Sequence, residues 1–141
     1  MDVDLSKSMW AERPDYRVDL LARRNRVTVR SETDVVAETL RPLVVDEQDH
    51  GLVVYFPRDD VRMQMLEPSD RVTHCPFKGA ASHWRLAGTD GPDVAWSYED
   101  PFPEVARIGG YIAFYQDRIH VEIGQAPSSL AREARRRGDK P

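Results

Sequence analysis

The stretch GAASHWRLAGTDGPDVAWSY, residues 79–98, decides the fold class. From Gly79 to Leu86 the side chains alternate along an extended strand. Ala81, His83 and Arg85 fall on one side, and Ser82, Trp84 and Leu86 on the other. Gly88-Thr89-Asp90-Gly91-Pro92 is dense in turn formers and reverses the chain. Residues 93–98 return as the partner strand. Pairing directly across this turn places Trp84 and Trp96 on one face, as an aromatic wall.

Strand signals continue in both directions. Leu52-Val53-Val54-Tyr55-Phe56 is β-branched and aromatic, and Pro57 stops it. Arg26-Val27-Thr28-Val29-Arg30 alternates with period two, Ser31-Glu32-Thr33-Asp34 turns, and Val35-Val36-Ala37-Glu38-Thr39-Leu40 returns as a hairpin. Arg41-Pro42 breaks that ladder, Leu43-Val44-Val45 is a further short strand, and residues 46–51 read as an acidic loop. Residues 16–21 are extended or form one helical turn. Arg58-Asp59-Asp60 offers a cap for a helical turn over residues 61–66, and Pro68-Ser69-Asp70 is a turn. Arg71-Val72-Thr73-His74-Cys75 is a strand cut by Pro76, which holds Cys75 extended. Residues 104–108 form a helical turn behind Pro103. Residues 111–115 and 118–123 read as a last hairpin across Gln116-Asp117. Short strands, frequent turns and one or two brief helical turns predict an all-β chain of two packed antiparallel sheets. The expected organisation is an irregular arm over 1–15, one domain over 16–124, and a basic, unstructured tail over 125–141 that contains Arg135-Arg136-Arg137.

Composition narrows the function classes. The 141 residues are 40% hydrophobic, enough for a core without disulfides, and the net charge of -4 leaves no basic footprint for nucleic acid. The single cysteine precludes an internal disulfide or a cysteine-rich zinc site, and predicts a reducing compartment. His50, His74, His83 and His120 show no metal-ligand spacing. No signal peptide or apolar membrane span is present in the sequence, so a cytoplasmic protein without membrane contact is expected.

Candidate chemistry gathers at Thr73-His74-Cys75-Pro76-Phe77-Lys78-Gly79. A thiolate is the reactive form of cysteine, and a nearby cation favours it. Lys78 follows a proline-containing turn that brings its ammonium back over Cys75. His74 points away from Cys75 on a regular strand, while His83 or His120 serves as a base only if the fold carries it there. Lys78 and Arg62 are also candidate anion binders. The bland alternatives are a buried apolar cysteine, a solvated turn lysine and aromatics that simply fill a core.

Four ordered segments resemble the family known as DUF427, a domain of unknown function. They are residues 55–62 (Tyr55-Phe56-Pro57-Arg58-Asp59-Asp60-Val61-Arg62), 73–80 (Thr73-His74-Cys75-Pro76-Phe77-Lys78-Gly79-Ala80), 95–101 (Ala95-Trp96-Ser97-Tyr98-Glu99-Asp100-Pro101) and 108–115 (Ile108-Gly109-Gly110-Tyr111-Ile112-Ala113-Phe114-Tyr115). The resemblance implies a small β-tent fold and no established activity. The family also carries a nucleotidyltransferase-like label, but the chain lacks paired acidic metal ligands in a Gly-Ser context. It also lacks the two Cys-x-x-Cys pairs through which other β-tent proteins hold zinc, so no cofactor is implied.

The reading that follows is a domain that binds a small, planar or anionic ligand in a pocket lined by Tyr55, Arg62, Cys75, Lys78, Trp96 and Tyr98. One alternative is an enzyme with Cys75 as nucleophile or redox centre and Lys78 as its activating cation. Another is an interaction module whose basic tail engages a partner.

Overall fold

The computed structural model describes residues 7–125, so the expected basic tail lies, Gln125 apart, outside the described residues. The chain is all-β, in two antiparallel sheets. The strands are β1 (Val18–Ala22), β2 (Val27–Arg30), β3 (Val35–Thr39), β4 (Leu43–Glu47), β5 (Gly51–Phe56), β6 (Leu66–Cys75), β7 (Gly79–Leu86), β8 (Ala95–Ser97), β9 (Ile112–Phe114) and β10 (His120–Ile123). The larger sheet has seven strands in the order β1-β4-β5-β9-β8-β7-β6, and the smaller has three in the order β10-β2-β3.

Period-two alternation on the large sheet divides its residues between two faces. Val54, Phe56, Ala95, Ile112 and Phe114 face the small sheet and pack on Val27, Val29 and Val36. Leu43, Val45, Tyr55, Ala81, Tyr98 and Ala113 face the other way, under Val105 and Ile108. These two come from the short helical segment Pro103–Ile108, which is kinked at Val105 and carries Pro103 in its first turn, where a missing N–H costs nothing.

Several local expectations are corrected. The last hairpin does not form. All three residues of β9 are buried, and β9 is paired on both sides, with β5 and β8, so it has no free edge. The chain turns at Tyr115, whose carbonyl accepts from Arg118 N and Ile119 N, and β10 adds to the free edge of β2 in the other sheet. Residues 61–66 are not one helical turn. Single turns form at Arg58–Asp60 and Met63–Met65, while β-branched Val61 between them is extended and bridges Ala37. Pro68-Ser69-Asp70 lies inside β6, where the register shifts between Pro68 and Val72. A proline and a bulge are tolerated there because β6 is an edge strand. Residues 16–21 resolve as the approach to edge strand β1 and most of that strand. The turn at Ser31 works without glycine, since the Ser31 hydroxyl accepts from Asp34 N at 3.0 Å in place of a backbone group.

Two further differences shape the site. Residues 46 and 47 are not loop but the end of β4, in register with Leu52 and Gly51 of β5. The reversal between them is tight, with left-handed backbone at Asp49 (φ 65°) and Gly51 (φ 74°). Trp84 and Trp96 also do not share a face. The register pairs His83 with Trp96 and Trp84 with Ala95, so Trp84 points to the small sheet and Trp96 away from it.

Candidate functional site

The loop of residues 76–78 joins β6 to β7, and Cys75 and Gly79 close it as a cross-strand pair. Gly79 has φ 114°, a conformation that side chains oppose. Lys78 O accepts from Phe102 N at 3.0 Å, which ties the loop to the proline-rich segment before the kinked helix. The arm braces the other side. Pro76 O accepts from Met9 N at 2.9 Å, and Phe77 O from Trp10 Nε1 at 2.8 Å. The Tyr16 ring stacks on Phe77 with centroids 3.7 Å apart.

So held, Lys78 turns inward rather than into solvent, leaving 8% of its side chain exposed against 10% for Glu47. Lys78 Nζ donates to Glu47 Oε1, and Tyr16 OH donates to Glu47 Oε2. His50 Nε2 lies 3.8 Å from the same carboxylate at the exposed rim. β4 and β7 are separated by four strand spacings, roughly 19 Å on a flat sheet. The contact between Glu47 and Lys78 therefore reports a strongly curled sheet. Burial opposes the Glu47 charge, but hydrogen bonds from Lys78 and Tyr16 and the lysine's charge outweigh it and hold the carboxyl below its ordinary range. Burial, with the neighbouring Glu47, pushes the Tyr16 hydroxyl well above its ordinary value, so it stays a donor.

Beside this pair lies a recess of about 260 Å³ lined by Glu47, Tyr55, Lys78, His83, Trp96 and Tyr98, with Thr73 and Tyr115. Trp96 Nε1 donates to Tyr55 OH at 3.2 Å, and the rings of Trp96 and Tyr115 lie 4.5 Å apart. Burial raises Tyr55 and Tyr98 far above the ordinary tyrosine range, and both stay neutral. His83 is 3% exposed. Its ring nitrogens meet Thr73 Oγ1 at 2.8 Å and Tyr115 OH at 3.4 Å. Burial, with Arg71 nearby, lowers its basicity, so it is a neutral imidazole at neutral pH.

Of the residues expected at the site, Tyr55, Lys78, Trp96 and Tyr98 line the recess. Half-buried Cys75 packs against the cluster that contains Tyr98, with Sγ 3.8 Å from Lys78 Nζ. Arg62 is elsewhere. It lies with Val35, Glu38, Asp59 and Asp60 in a separate depression, because its N–H is bonded to Val36 O of the small sheet. His120 is exposed on the small sheet and His74 is exposed on β6. The main omissions are Glu47 and Tyr16. Glu47 had a signal, since Leu43, Val45 and Glu47 form one alternating buried set. Tyr16 had none, because its role depends on where the arm docks. Among the described residues, no group of three or more His, Cys, Asp or Glu could hold a metal ion.

A family model described as Domain of unknown function (DUF427) matches residues 19–125. The chain belongs to the DUF427 family. No curated protein matches it. The match covers the recess and both members of the Lys78–Glu47 pair but starts after Tyr16. The arm that braces the lysine loop therefore lies outside the matched DUF427 segment. No helix among the described residues is long and apolar enough to cross a membrane.

Proposed function

We propose that this DUF427 domain binds a small planar ligand, of about one ring, in the recess between the Lys78–Glu47 pair and Trp96. The observation that carries the reading is the polar lining of one recess. A buried ammonium–carboxylate pair, neutral His83 and the hydroxyls of Tyr55, Tyr98 and Tyr115 converge beside an indole. Such a mixture suits a molecule that stacks and also exchanges hydrogen bonds. A volume of about 260 Å³ falls just under the roughly 300–1,000 Å³ of pockets for drug-sized ligands, which favours a smaller occupant. Lys78 is matched by Glu47 and so offers a donor beside an acceptor rather than a lone positive charge. The same pairing gives thiolate chemistry weaker support, since Cys75 faces an ion pair, and the ring nitrogens of His83 engage Thr73 and Tyr115.

The test is a thermal-shift screen of one-ring aromatic and heteroaromatic acids and amides. A fragment at 100 times its Kd stabilises the folded state by about 2.7 kcal/mol. The expected result is a hit that raises Tm, quenches tryptophan fluorescence and slows alkylation of Cys75, with all three effects lost in Trp96→Leu. If no fragment protects the wild-type protein at millimolar concentration, or if hits protect Trp96→Leu equally, the recess is not a ligand site.

A further inference from the structure

We propose a second site, separate from the recess, that binds a compact polyanion of the phosphate class through Arg23, Arg24, Arg41 and Arg107. These four side chains line a depression of about 590 Å³ at the Leu43 end of β4, whereas Glu47 and the recess occupy its other end, roughly 13 Å away. The arginines come from three segments: the residues after β1, the β3–β4 connection and the kinked helix. Arg23 N donates to Pro42 O at 3.0 Å, which fixes two of those segments side by side.

The lining contains no aspartate or glutamate. Exposed Arg41 meets Asp60 at 3.6 Å, and the same carboxylate oxygen accepts from Thr39 Oγ1 at 2.7 Å. Arg23, Arg24 and Arg107 form no ion pair among the described residues, as is also true of Arg26, Arg62, Arg71 and Arg118, but the depressions that hold Arg62, Arg71 and Arg118 are also lined by carboxylates. A chain of net charge -4 thus gathers four arginines, three of them without an ion pair among the described residues, in one concave place. Their mutual repulsion destabilises the empty state, and an anion placed among them relieves it. Guanidinium forks match phosphate oxygens in bidentate geometry. Pro42, Leu43, Pro57 and Tyr111 form an apolar floor that shields one side from water. Shape and charge favour a compact anion over nucleic acid, because the net negative charge of the chain repels an extended polyanion beyond the depression.

The experiment is calorimetric titration of the full chain with sodium tripolyphosphate at about 150 mM salt, where the screening length is about 8 Å. The expected result is saturable binding of one anion per chain, weakened tenfold or more in Arg24→Ala/Arg107→Ala and in Arg23→Gln/Arg41→Gln. Binding should be unchanged in Arg62→Ala and Trp96→Leu, with thermal melts confirming that each variant is folded. Absence of saturable binding, or equal weakening in Arg62→Ala, overturns the proposal. So does preferential capture by a DNA duplex or by phosphatidylserine vesicles that is lost in the Arg24→Ala/Arg107→Ala variant.

Discussion

The two faces of the seven-stranded sheet share the same strands and differ in what they bury. Toward the small sheet the buried set is Val, Ile, Ala, Leu and Phe, with Phe56 and Phe114 edge-to-face at 5.4 Å. Ser97 is the polar exception there, and it is fully bonded, accepting from Trp84 Nε1 at 3.0 Å and donating to Glu99 at 2.7 Å. The opposite face buries Lys78, Glu47 and His83 among tyrosines. Apolar packing stabilises without conditions, whereas a buried charge stabilises only while its partner is present. The first face therefore supplies stability, and the second carries polar chemistry on the rigidity of the first.

Three measurements test that contrast, starting with the largest effect. Phe56→Ala removes a ring that is 1% exposed in the apolar core, and should cost about 3–5 kcal/mol in denaturant unfolding. A loss under about 1 kcal/mol would mean that the two sheets are not held by this core.

Next comes the ion pair. Lys78→Met alone strands a buried carboxylate and should cost about 2–3 kcal/mol, below the usual 3–5 because the pair borders an open recess. Lys78→Met with Glu47→Leu should recover most of that loss, since an apolar pair of similar volume needs no partner. A double variant no more stable than the single would show that the carboxylate has a stabilising role of its own, through Tyr16.

The smallest effect is in the pH dependence. Burial lowers the His83 pKa below 6.5, so between that value and its folded value the unfolded chain holds a proton that the folded chain does not. Its contribution is complete above about 6.5 and is lost as pH falls through the folded value. The depressed Glu47 carboxyl behaves likewise from 4.5 downward. Tm should therefore fall in two steps on acidification. His83→Gln should flatten the upper step, and the difference between wild type and Glu47→Gln should narrow below 4.5. A His83→Gln profile that parallels wild type through the upper step would remove His83 from the account.

Much of the fold was legible because strand content is local. Alternation at Gly79–Leu86, the β-branched run before Pro57 and the hairpin of β2 with β3 depend on neighbouring residues alone. The proximity of Lys78 to Cys75 was legible for the same reason, since three residues and a proline bound the geometry. What failed was long-range. Whether residues 118–123 pair with residues 111–115 depends on β9 having a free edge, and β5 and β8 occupy both of its edges. Whether Trp84 and Trp96 share a face depends on register across an eight-residue loop, and a shift of one residue exchanges the faces.

The sequence by itself determined the all-β class, most of the strands and the family, because each rests on patterns local to short segments of the chain. Only the tertiary structure decided that Lys78 is buried rather than solvated, that Glu47 and Tyr16 are its company, and that Arg62 is elsewhere. The physical reason is the curl of the large sheet. It brings β4, the arm and the β6–β7 loop to one point from positions 31 or more residues apart, and no local pattern encodes a contact across that distance.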